Sequence, residues 1–571
     1  MSQDGRAPSA PVGTTKGPGE SAGEYTMVTP DREGNVKIGE FVYYADAVEG
    51  RERQIVGRVA RRRPLKLFPD DFMADPSVPP AEVARILGFD LPDTELYEVT
   101  VNIMGHFIPE MGFVNPRIAP RPGLPVFLAG ADMLEAVLCP KRPGQTGAVH
   151  IGSLLTRPEG EVPVVMDADE FTSTHLAIIA GTGAGKSYLA GVIVEELLRP
   201  CNAAAVLIVD PHGEYQTLAE AADLDYFRRS DAKMDYRARV KVVRPGELRV
   251  RRNVLREDDI LYLLGTIPTP QQVIVREALR TLGRGDRKWT MSDLFGAVED
   301  VDAARLGGAS APEDSSEDYR SSKIALGMRL RSTLGREGVF DDYRHTDLRE
   351  LLQPGQCTVL QVGEMDRRSQ QIVVATILRR AFEGRQRTVH EEIDDRDEQY
   401  LPFPVFILIE EAHRFAPAGA EVATTNLLKE VLSEGRKFGV GVGLITQRPG
   451  KLDQDALSQC MTQCIMRIVN PVDQTAVASA VESVGRDLLA ELPSLSKGQA
   501  IIAGSAVNTT VLSRVRRRLT SHGGAAAASA EAWTAYFQPK TVKRRKAERT
   551  LFPKSDSSSE RDLTRELFGE D

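Results

Sequence analysis

The sequence has few cysteines, and none of them form a CxxC pair. Five cysteines in 571 residues exclude a disulfide-stapled scaffold and give no sign of a zinc ribbon. Cys460 and Cys464 lie four residues apart, where they could ligate a metal, but small apolar core residues are the alternative interpretation. We therefore expect a protein of a reducing compartment, with no structural role for disulfides.

Long apolar segments are also missing. The longest uncharged run, residues 260–275, contains two prolines and a glutamine pair, and it is shorter than the roughly 20 apolar residues that a membrane helix needs. The first 24 residues have no apolar segment of the kind found in signal peptides. These features predict a cytoplasmic protein without a membrane span.

The chain has no excess of positive charge. Its 72 lysines and arginines are outnumbered by 81 aspartates and glutamates, which gives a net charge of −9 and a pI near 5.6. A surface that binds nucleic acid on every face is therefore excluded, and any contact with DNA must be local, as in a channel. With 42% hydrophobic and 27% charged residues, the composition is that of a globular protein.

The N-terminal third has the spacing of short β-strands. Between residues 25 and 165, short apolar stretches alternate with turns rich in proline and glycine, which predicts a small β-barrel. Pro79 and Pro80 precede a helical pattern, so one loop of this barrel is expected to carry a helix. Residues 1–24 are predicted to be a disordered tail.

The pattern changes to alternating strands and helices after Thr174. Short apolar runs without alternation are each followed by turn or helix signals, as in parallel strands that are buried on both faces. We predict an α/β domain over residues 166–524, with a helical insertion at about 256–352. Residues 525–571 are predicted to be a largely flexible tail that contains the basic run Lys543–Lys546.

The strongest motif is LAIIAGTGAGKSYLAGVIVEELL, which reads as a strand, a glycine-rich turn and a helix. Such a turn can direct its backbone N–H groups at phosphate oxygens, and the helix dipole adds to the attraction. Lys186 is expected to reach the β- and γ-phosphates, and Ser187 to hold Mg²⁺. Ala180 stands where the strict motif has glycine. The predicted nucleotide-binding residues are Gly181, Thr182, Gly183, Ala184, Gly185, Lys186, Ser187 and Tyr188.

The second motif is FPVFILIEEAHRF, an apolar strand that ends in two carboxylates. Glu410 at the strand tip is predicted to lie near the metal, and Glu411 to polarise the attacking water. A buried strand followed by two glutamates is also a common structural feature, but here it follows a phosphate loop with further strands between them. The pattern predicts an ATPase of the additional-strand type with a catalytic glutamate.

Two further residues are candidates for catalysis in EGRKFGVGVGLITQRP. Gln447 follows a glycine-rich strand, at the end where open α/β sheets bind ligands, so it could sense the γ-phosphate or orient water. Arg436 lies near the end of a helix and could act as an arginine finger. The alternatives are a polar residue at a strand end and a charge that stabilises a helix C-terminus.

A fourth motif, AAVLIVDPHGEY, places Asp210 at a strand end and His212 and Glu214 in the turn that follows. Because this turn is expected beside the phosphate loop, these three side chains are candidates for a shell around the metal or the water.

Taken together, GTGAGKS, DPHGEY, IEEAHRF, EGRKFGVGVGLITQRP and LPSLSKGQAIIAG through SHGG resemble the HerA branch of the HerA/FtsK ATPases, from about Val36 to Gly524. The resemblance implies a RecA-like P-loop core behind a small β-barrel. It also implies a homohexameric ring that uses ATP and Mg²⁺ to drive double-stranded DNA through its channel, usually beside a nuclease of the NurA type. The matching positions Lys186, Glu411, Arg436 and Gln447 would bind or hydrolyse ATP, with the arginine acting on the neighbouring subunit's nucleotide. The family commonly has aspartate where Glu410 stands.

Several functional alternatives remain open from the sequence. DNA end processing and anti-phage defence are equally compatible with the motifs. A scaffold ring that activates an effector, with ATP tuning assembly, is a different class of function, and a conjugation-type DNA pump would carry membrane helices before its phosphate loop. Basic clusters are candidates for DNA contacts, with solvated helix faces as the alternative. They are Arg249, Arg251 and Arg252; Arg284, Arg287 and Lys288; and Arg379, Arg380, Arg385 and Arg387.

Overall fold

A computed structural model describes residues 10–523, apart from 66–95, 284–287, 302–314 and the short gaps at 22, 32, 49, 109–110, 232, 336–337 and 482–483, and it also describes 533–534. The predicted helix within the barrel therefore lies outside the described residues, and so does most of the predicted C-terminal tail. Among the described helices, none is long and apolar enough to cross a membrane.

The N-terminal strands close into a six-stranded barrel. Its order is β2-β1-β7-β3-β4-β5, and β5 pairs back onto β2, while β6 adds a hairpin to β5. Alternate side chains such as Tyr25, Met27 and Tyr44 fill the interior, as period-2 strands require. The strands are β1 (Gly13–Pro18), β2 (Glu24–Thr29), β3 (Phe41–Val48), β4 (Arg51–Pro64), β5 (Tyr97–Ile108), β6 (Gly112–Val114) and β7 (Pro125–Leu128).

The barrel begins earlier than the sequence predicts. Residues 13–18 form β1 and are not part of a disordered tail. Thr15 is buried, and its hydroxyl donates a hydrogen bond of 2.6 Å to the carbonyl oxygen of Arg121. The strand has no large apolar side chains, so the apolar pattern on which the prediction rested could not reveal it.

The second sheet has eleven strands and carries the α/β domain. Its order is β14-β17-β11-β18-β19-β10-β20-β21-β22-β8-β9. The first seven strands are parallel and the last four antiparallel. The strands are β8 (Ala148–Leu154), β9 (Pro163–Asp167), β10 (Leu176–Ile179), β11 (Ala205–Asp210), β14 (Arg239–Val243), β17 (Gln356–Gln361), β18 (Val405–Ile409), β19 (Val440–Thr446), β20 (Thr462–Met466), β21 (Gln499–Gly504) and β22 (Val511–Val515).

The boundary that we predicted at residue 165 is wrong, because β8 and β9 belong to this sheet and not to the barrel. β8 pairs with β22 through Ser153 and Arg514. Its residues are nearly all buried, since it packs against the helix that follows the phosphate loop. Strand spacing alone does not reveal which sheet a strand joins, and that information lies in the partner strand at the far end of the chain.

Helices cover both faces of the sheet and form the insertion. Two small ladders complete the strands, β12 (Arg228–Asp231) with β13 (Met234–Arg237), and β15 (Val250–Arg251) with β16 (Phe340–Asp341). The helices are α1 (Ala131–Leu138), α2 (Ala168–Thr174), α3 (Lys186–Leu197), α4 (Glu257–Leu264), α5 (Thr269–Gly283), α6 (Met291–Asp300), α7 (Ser315–Leu334), α8 (Leu348–Leu351), α9 (Arg367–Val389), α10 (Thr425–Phe438), α11 (Gln454–Ser458), α12 (Pro471–Ala480) and α13 (Arg486–Ala490). The insertion predicted at about 256–352 is thus helical, with α4 to α8.

The parallel strands place their carboxyl ends at one edge of the sheet. β10, β11, β18 and β19 are adjacent in the order β11-β18-β19-β10 and fully buried. The segments that follow these four strands contain the phosphate loop, His212 and Glu214, Glu410 and Glu411, and Gln447, whereas Arg436 lies elsewhere. This edge is where open α/β sheets bind their ligands.

Candidate active site

The phosphate loop runs from the end of β10 to the start of α3. Gly183 and Gly185 have φ values of +77° and +111°, in the region that side chains other than glycine rarely adopt. The N–H of Gly181 donates to the carbonyl oxygen of Arg467 at 2.8 Å, which ties the loop to the end of β20. Two of the glycines in the sequence pattern, Gly183 and Gly185, are thus required by the backbone of the turn.

Lys186 lies between the two glutamates that follow β18. Its ammonium group forms an ion pair with Glu410 and lies 3.1 Å from Oε1 of Glu411. The two carboxylates are 0% and 2% exposed. Burial would lower the pKa of Lys186, but the two carboxylates outweigh it and the pKa is raised. Two signature motifs that are 224 residues apart in sequence therefore meet at one buried charge cluster.

Glu410 has a second partner that sequence reasoning missed. The hydroxyl of Tyr215 donates a hydrogen bond of 2.6 Å to Oε2 of Glu410, and Tyr215 is fully buried. Burial raises the pKa of Glu410, an effect that Lys186 and Tyr215 oppose and that the charge of Glu411 reinforces. The signal was present as the last letter of DPHGEY, a large aromatic in a turn that otherwise contains small and polar residues.

The turn after β11 contributes its three predicted residues in different ways. Glu214 accepts a hydrogen bond from the hydroxyl of Ser187, so it touches a proposed metal ligand. Asp210 instead accepts from the N–H groups of His212 (3.1 Å), Gly213 (2.8 Å) and Tyr215 (3.1 Å). Asp210 is therefore the residue that shapes the turn, since a buried carboxylate that accepts three backbone hydrogen bonds stabilises that backbone conformation.

His212 points to a different neighbour. Its Nε2 lies 3.3 Å from the guanidinium of Arg414, in the short 3-10 helix Ala412–Arg414 that follows the two glutamates. The structure thus joins the turn after β11 to the segment after β18, and it brings His212 to the rim of the cluster.

Glu411 combines a strained backbone with a buried carboxylate oxygen that faces His413. Its φ and ψ are 53° and 46°, a left-handed conformation that costs a glutamate about 1–2 kcal/mol. Its Oε2 is buried and accepts no hydrogen bond from the described residues, although His413 Nδ1 lies 3.2 Å away. Strain of this kind concentrates at functional sites. The geometry gives Glu411 an oxygen that is available for a water or a proton.

A cavity of about 400 Å³ opens beside the phosphate loop. Gln447 forms part of its wall, and its Oε1 accepts a hydrogen bond of 3.1 Å from the hydroxyl of Thr182. Three basic side chains add to the lining, namely Arg448, Arg467 and Lys497. A polar, positively lined cavity next to a phosphate loop suits a polyanion.

Arg436 lies at the opposite edge of the sheet. It is exposed in the last turn of α10, which leads into the start of β19, whereas Gln447 follows the end of β19. The seven residues of β19 span about 20 Å. Arg436 forms no ion pair with any part of the chain that the structure describes. It therefore does not join Lys186 and Glu411 within one chain.

The sequence of the chain is similar to that of known helicases. Residues 149–381 match the family domain described as "Helicase HerA, central domain". The DNA double-strand break repair helicase HerA of Pyrococcus furiosus is 30% identical over 459 residues, which cover 75% of this chain and 79% of that protein. The chain belongs to the HerA family. A probable helicase of Methanocaldococcus jannaschii, also 30% identical, covers 74% of this chain and 76% of its own length.

Solved structures show more distant similarity. VirB4 of Thermoanaerobacter pseudethanolicus is 13% identical, with a TM-score of 0.43, over 66% of this chain and 98% of its own. The plasmid coupling protein TrwB in complex with ADP and Mg²⁺ is 14% identical, with a TM-score of 0.42, over 69% and 94%. As a HerA-family chain with a phosphate loop and paired glutamates, the protein is a P-loop ATPase that uses ATP and Mg²⁺.

The donor set fits a magnesium ion held mainly by phosphate and water. Within the described residues, no group of three or more histidine, cysteine, aspartate or glutamate side chains could hold a metal by itself. Mg²⁺ in nucleotide sites commonly takes one or two protein ligands and completes its octahedron with phosphate oxygens and water. Ser187 and Glu410 carry oxygen atoms of that type, and their assignment as magnesium ligands stays a prediction.

The cysteine pair does not form a second metal site. The thiols of Cys460 and Cys464 are fully buried, and burial raises the pKa of Cys464 to about 12. Cys460 contacts the carbonyl oxygen of Ala456, and Cys464 the sulfur of Met166. Both are therefore core residues, which was the alternative interpretation.

Most arginines of the basic clusters form hydrogen bonds or ion pairs within the chain. Arg379 forms a bidentate pair with Asp259 at 2.7 and 3.0 Å, and Arg385 donates to the carbonyl oxygens of Phe438 and Leu401. Both guanidinium groups are thus partnered within the protein, as burial requires, and a role in DNA contact stays untested. Others also bond internally: Arg249 to Gly246 and Leu248, Arg251 to Glu398, Arg252 to Asp342, Arg380 to Thr346, and Arg387 to Gln399. Lys288 is exposed, and Arg284 and Arg287 lie outside the described residues.

Proposed function

We propose that the chain is the subunit of a homohexameric ring that uses ATP hydrolysis to translocate double-stranded DNA. The observation that carries the proposal is the contact of Lys186 with Glu410 and Glu411 in a chain whose HerA relatives are named DNA double-strand break repair helicases. A lysine held by two buried carboxylates is poised to exchange them for the β- and γ-phosphates of a nucleotide.

In the proposed reaction each side chain has a defined task. Lys186 neutralises charge on the β- and γ-phosphates. Glu411 accepts a proton from the attacking water through Oε2, which accepts no hydrogen bond from the described residues and lies 3.2 Å from His413 Nδ1. Gln447, held by Thr182, orients the water or the γ-phosphate. Ser187 and Glu410 hold Mg²⁺, which supplies charge neutralisation at the phosphates. Tyr215 keeps Glu410 in place by its hydrogen bond.

In this proposal the remaining catalytic group, the guanidinium of Arg436, comes from a neighbouring subunit. Arg436 cannot reach the nucleotide of its own subunit, because β19 separates the two ends of the sheet by about 20 Å. Its exposure near the C-terminus of α10 supports a role as an arginine finger for a neighbouring subunit. A ring in which each site takes Arg436 from the next copy follows from that arrangement.

The biological partner belongs to the same proposal. A separately encoded nuclease of the NurA type, or another effector, would use the moving DNA in end processing or in anti-phage defence. A scaffold ring that only gathers and activates such an effector is the competing function. The strained backbone of Glu411 beside Lys186 favours hydrolysis over inert scaffolding.

The test measures ATP hydrolysis by the purified chain without DNA, with linear double-stranded DNA, and with single-stranded DNA. Displacement of a triplex-forming strand from a long duplex reports translocation in the same samples. We expect double-stranded DNA to stimulate hydrolysis and ATP to drive displacement, with Glu411→Gln as the inactive control. If the rate of ATP hydrolysis does not change with DNA and rises only when a partner protein is added, the scaffold function is correct and the motor proposal fails.

A further inference from the structure

The ring of His413 lies against the proposed catalytic glutamate and has no task in the reaction described above. His413 belongs to the 3-10 helix Ala412–Arg414, two residues after Glu411. Its Nδ1 lies 3.2 Å from Oε2 of Glu411 and 3.2 Å from the hydroxyl oxygen of Thr446 at the end of β19. Only 15% of the His413 side chain is exposed. One ring nitrogen therefore faces both the carboxylate that follows β18 and the last residue of the neighbouring strand.

The ring of His413 is neutral at neutral pH. Burial lowers its pKa, and three nearby guanidinium groups lower it further, while Glu411 opposes them. These groups belong to Arg414 in the same short helix, Arg448 after β19 and Arg367 at the start of α9. A neutral imidazole has one N–H and one bare nitrogen, so Nδ1 is either a donor or an acceptor.

The two oxygens near Nδ1 determine which form of the ring is present. A carboxylate oxygen can only accept hydrogen bonds, whereas a hydroxyl can donate or accept. If Nδ1 had no proton, its lone pair would face the negative charge of Glu411 at 3.2 Å. With the proton on Nδ1, both oxygens are acceptors and no lone pair opposes another. His413 therefore has an Nδ1–H that donates to the hydroxyl of Thr446 and attracts the carboxylate of Glu411.

Thr446 connects this pair to the phosphate loop. It is fully buried, and its carbonyl oxygen accepts a hydrogen bond of 3.2 Å from the N–H of Ala180, where the loop begins. Its hydroxyl also accepts the N–H of Arg448 at 3.1 Å. The next residue in the chain is Gln447, whose amide oxygen accepts the hydroxyl of Thr182. Thr446 is therefore a fixed point beside the amide that is proposed to orient the water.

We infer that His413 is a positioning residue that fixes the carboxylate of Glu411 relative to Gln447, so that the proton acceptor and the water-orienting amide face the same water. The inference rests on the roles proposed above for Glu411 and Gln447. A carboxylate oxygen has two lone pairs, so the contact with His413 leaves one for the proton of the water. A displacement of about 1 Å at a reacting group can cost a factor of about 100 in rate. The hydrolysis rate therefore depends on what holds the flexible side chain of Glu411.

The test compares two amide side chains that differ in reach. In asparagine the amide nitrogen is bonded to Cγ, as Nδ1 is in histidine, whereas in glutamine it lies one bond further from the backbone. His413→Asn can therefore keep a donor next to Glu411, and His413→Gln cannot. We expect His413→Gln to hydrolyse ATP about 10- to 100-fold more slowly, with an ATP affinity within about twofold of the wild type. His413→Asn should keep most of the activity. Titration calorimetry with Mg·ATP gives the affinity, and single-turnover assays on the full-length chain give the rate.

A double variant separates positioning from support of the fold. If His413 acts through the carboxylate of Glu411, then His413→Gln has nothing left to position once Glu411→Gln is present. The two substitutions together should be no slower than Glu411→Gln alone, in long incubations with the protein in excess over ATP. Substitutions at independent sites have additive effects on free energies. An additive loss would therefore show that His413 only supports the fold, and it would overturn the inference.

A second pair of variants serves as the test if His413→Gln does not fold. Thr446→Val removes the hydroxyl that accepts from the ring but keeps the shape of the side chain, and Thr446→Ser keeps the hydroxyl. We expect slower hydrolysis with unchanged ATP affinity in the valine variant, and near-normal hydrolysis in the serine variant. Equal rates of hydrolysis in these two variants would overturn the inference.

The outcomes also separate this inference from the function on which it rests. Normal hydrolysis by folded His413→Gln, with Glu411→Gln inactive, overturns only the role of His413. A loss of ATP affinity in His413→Gln that accounts for its loss of rate would likewise overturn it. If Glu411→Gln and Lys186→Ala both hydrolyse ATP normally, the proposed ATP site itself is wrong.

Discussion

At the scale of single residues, Lys186 has two roles that can be measured separately. Lys186→Ala should lose ATP binding, because the β- and γ-phosphates lose their cation. It should also destabilise the nucleotide-free protein by about 3 kcal/mol, because Glu410 and Glu411 remain buried without a counter-charge. The double variant Lys186→Ala with Glu410→Gln removes one of the two carboxylate charges. We expect it to recover part of the stability in chemical denaturation, while ATP binding stays lost.

If the single variant is as stable as the wild type, the ion pairs of Lys186 contribute nothing to the fold. If the single variant hydrolyses ATP normally, the phosphate loop is assigned wrongly.

The second prediction for single residues concerns the different roles of Glu411 and Glu410. Glu411→Gln should bind ATP with near wild-type affinity and hydrolyse it at least a hundredfold more slowly, because the amide keeps the shape but cannot accept the proton. Binding and single-turnover hydrolysis are measured on the same preparation. Glu410→Gln should instead raise the Mg²⁺ concentration needed for activity. The reverse pattern, with Glu410→Gln binding normally but inactive, would exchange the two roles.

The individual residues were predictable to different degrees. Lys186, Ser187 and the two glutamates follow from local spacing, because their chemistry requires those residue types next to a strand end. Tyr215 was not predicted, since its role depends on Glu410, a partner 195 residues away. The pairing of the basic residues in α9 was not predicted for the same reason, because a charged side chain does not reveal whether it is paired with Asp259 or exposed to solvent.

At the scale of elements, the junction between α2 and β10 makes the fold sensitive to acid. His175 ends α2 with a φ of 65°, and its Nδ1 accepts the N–H of Val442 at 3.1 Å. Burial lowers its pKa from 6.5 to about 4. The folded state therefore holds His175 neutral, and stability is fully present above pH 6.5 and falls as the pH drops towards 4.

The expected loss over this window is about 2–3 kcal/mol, from the size of the pKa shift. Asparagine offers an acceptor oxygen but does not titrate. His175→Asn should therefore flatten the dependence of the urea midpoint on pH between 6.5 and 4. An unchanged pH slope in the variant would assign the acid sensitivity to other groups.

The strands and helices differ in how well a local sequence pattern predicts them. The parallel strands were identified from buried apolar runs, and the insertion from helical periodicity, because both signals are local. The sequence did not predict that β8 and β9 belong to the eleven-stranded sheet. The apolar pattern of a strand indicates which of its faces are buried but not which strand it pairs with. β1 was not predicted because its buried residues are Thr15 and Gly17 and not large apolar side chains.

At the scale of the whole molecule, Arg436 distinguishes a ring from an independent enzyme. Arg436→Ala should bind ATP and assemble but hydrolyse poorly, because each site loses the cation supplied by its neighbour. Co-expression with Glu411→Gln subunits should restore part of the activity, since some interfaces then pair an intact Glu411 with an intact Arg436. Lys437→Ala, an exposed neighbour on the same helix turn, is the control and should remain active. Mixed rings as inactive as both parents, with Arg436→Ala active as a monomer, would refute a role in trans.

The pairing of β8 with β22 also bears on how the chain is made. Ser153 and Ser513, which contact each other across these strands, are 360 residues apart. At the usual pace of translation, roughly 5–20 residues per second, β8 leaves the ribosome about 20–70 s before its partner. During that interval a largely apolar strand has an unpaired edge, and an unpaired edge promotes aggregation. The growing polypeptide should therefore depend on chaperones until its last strand is synthesised, and products that terminate before residue 511 should be degraded rather than accumulate as partial domains.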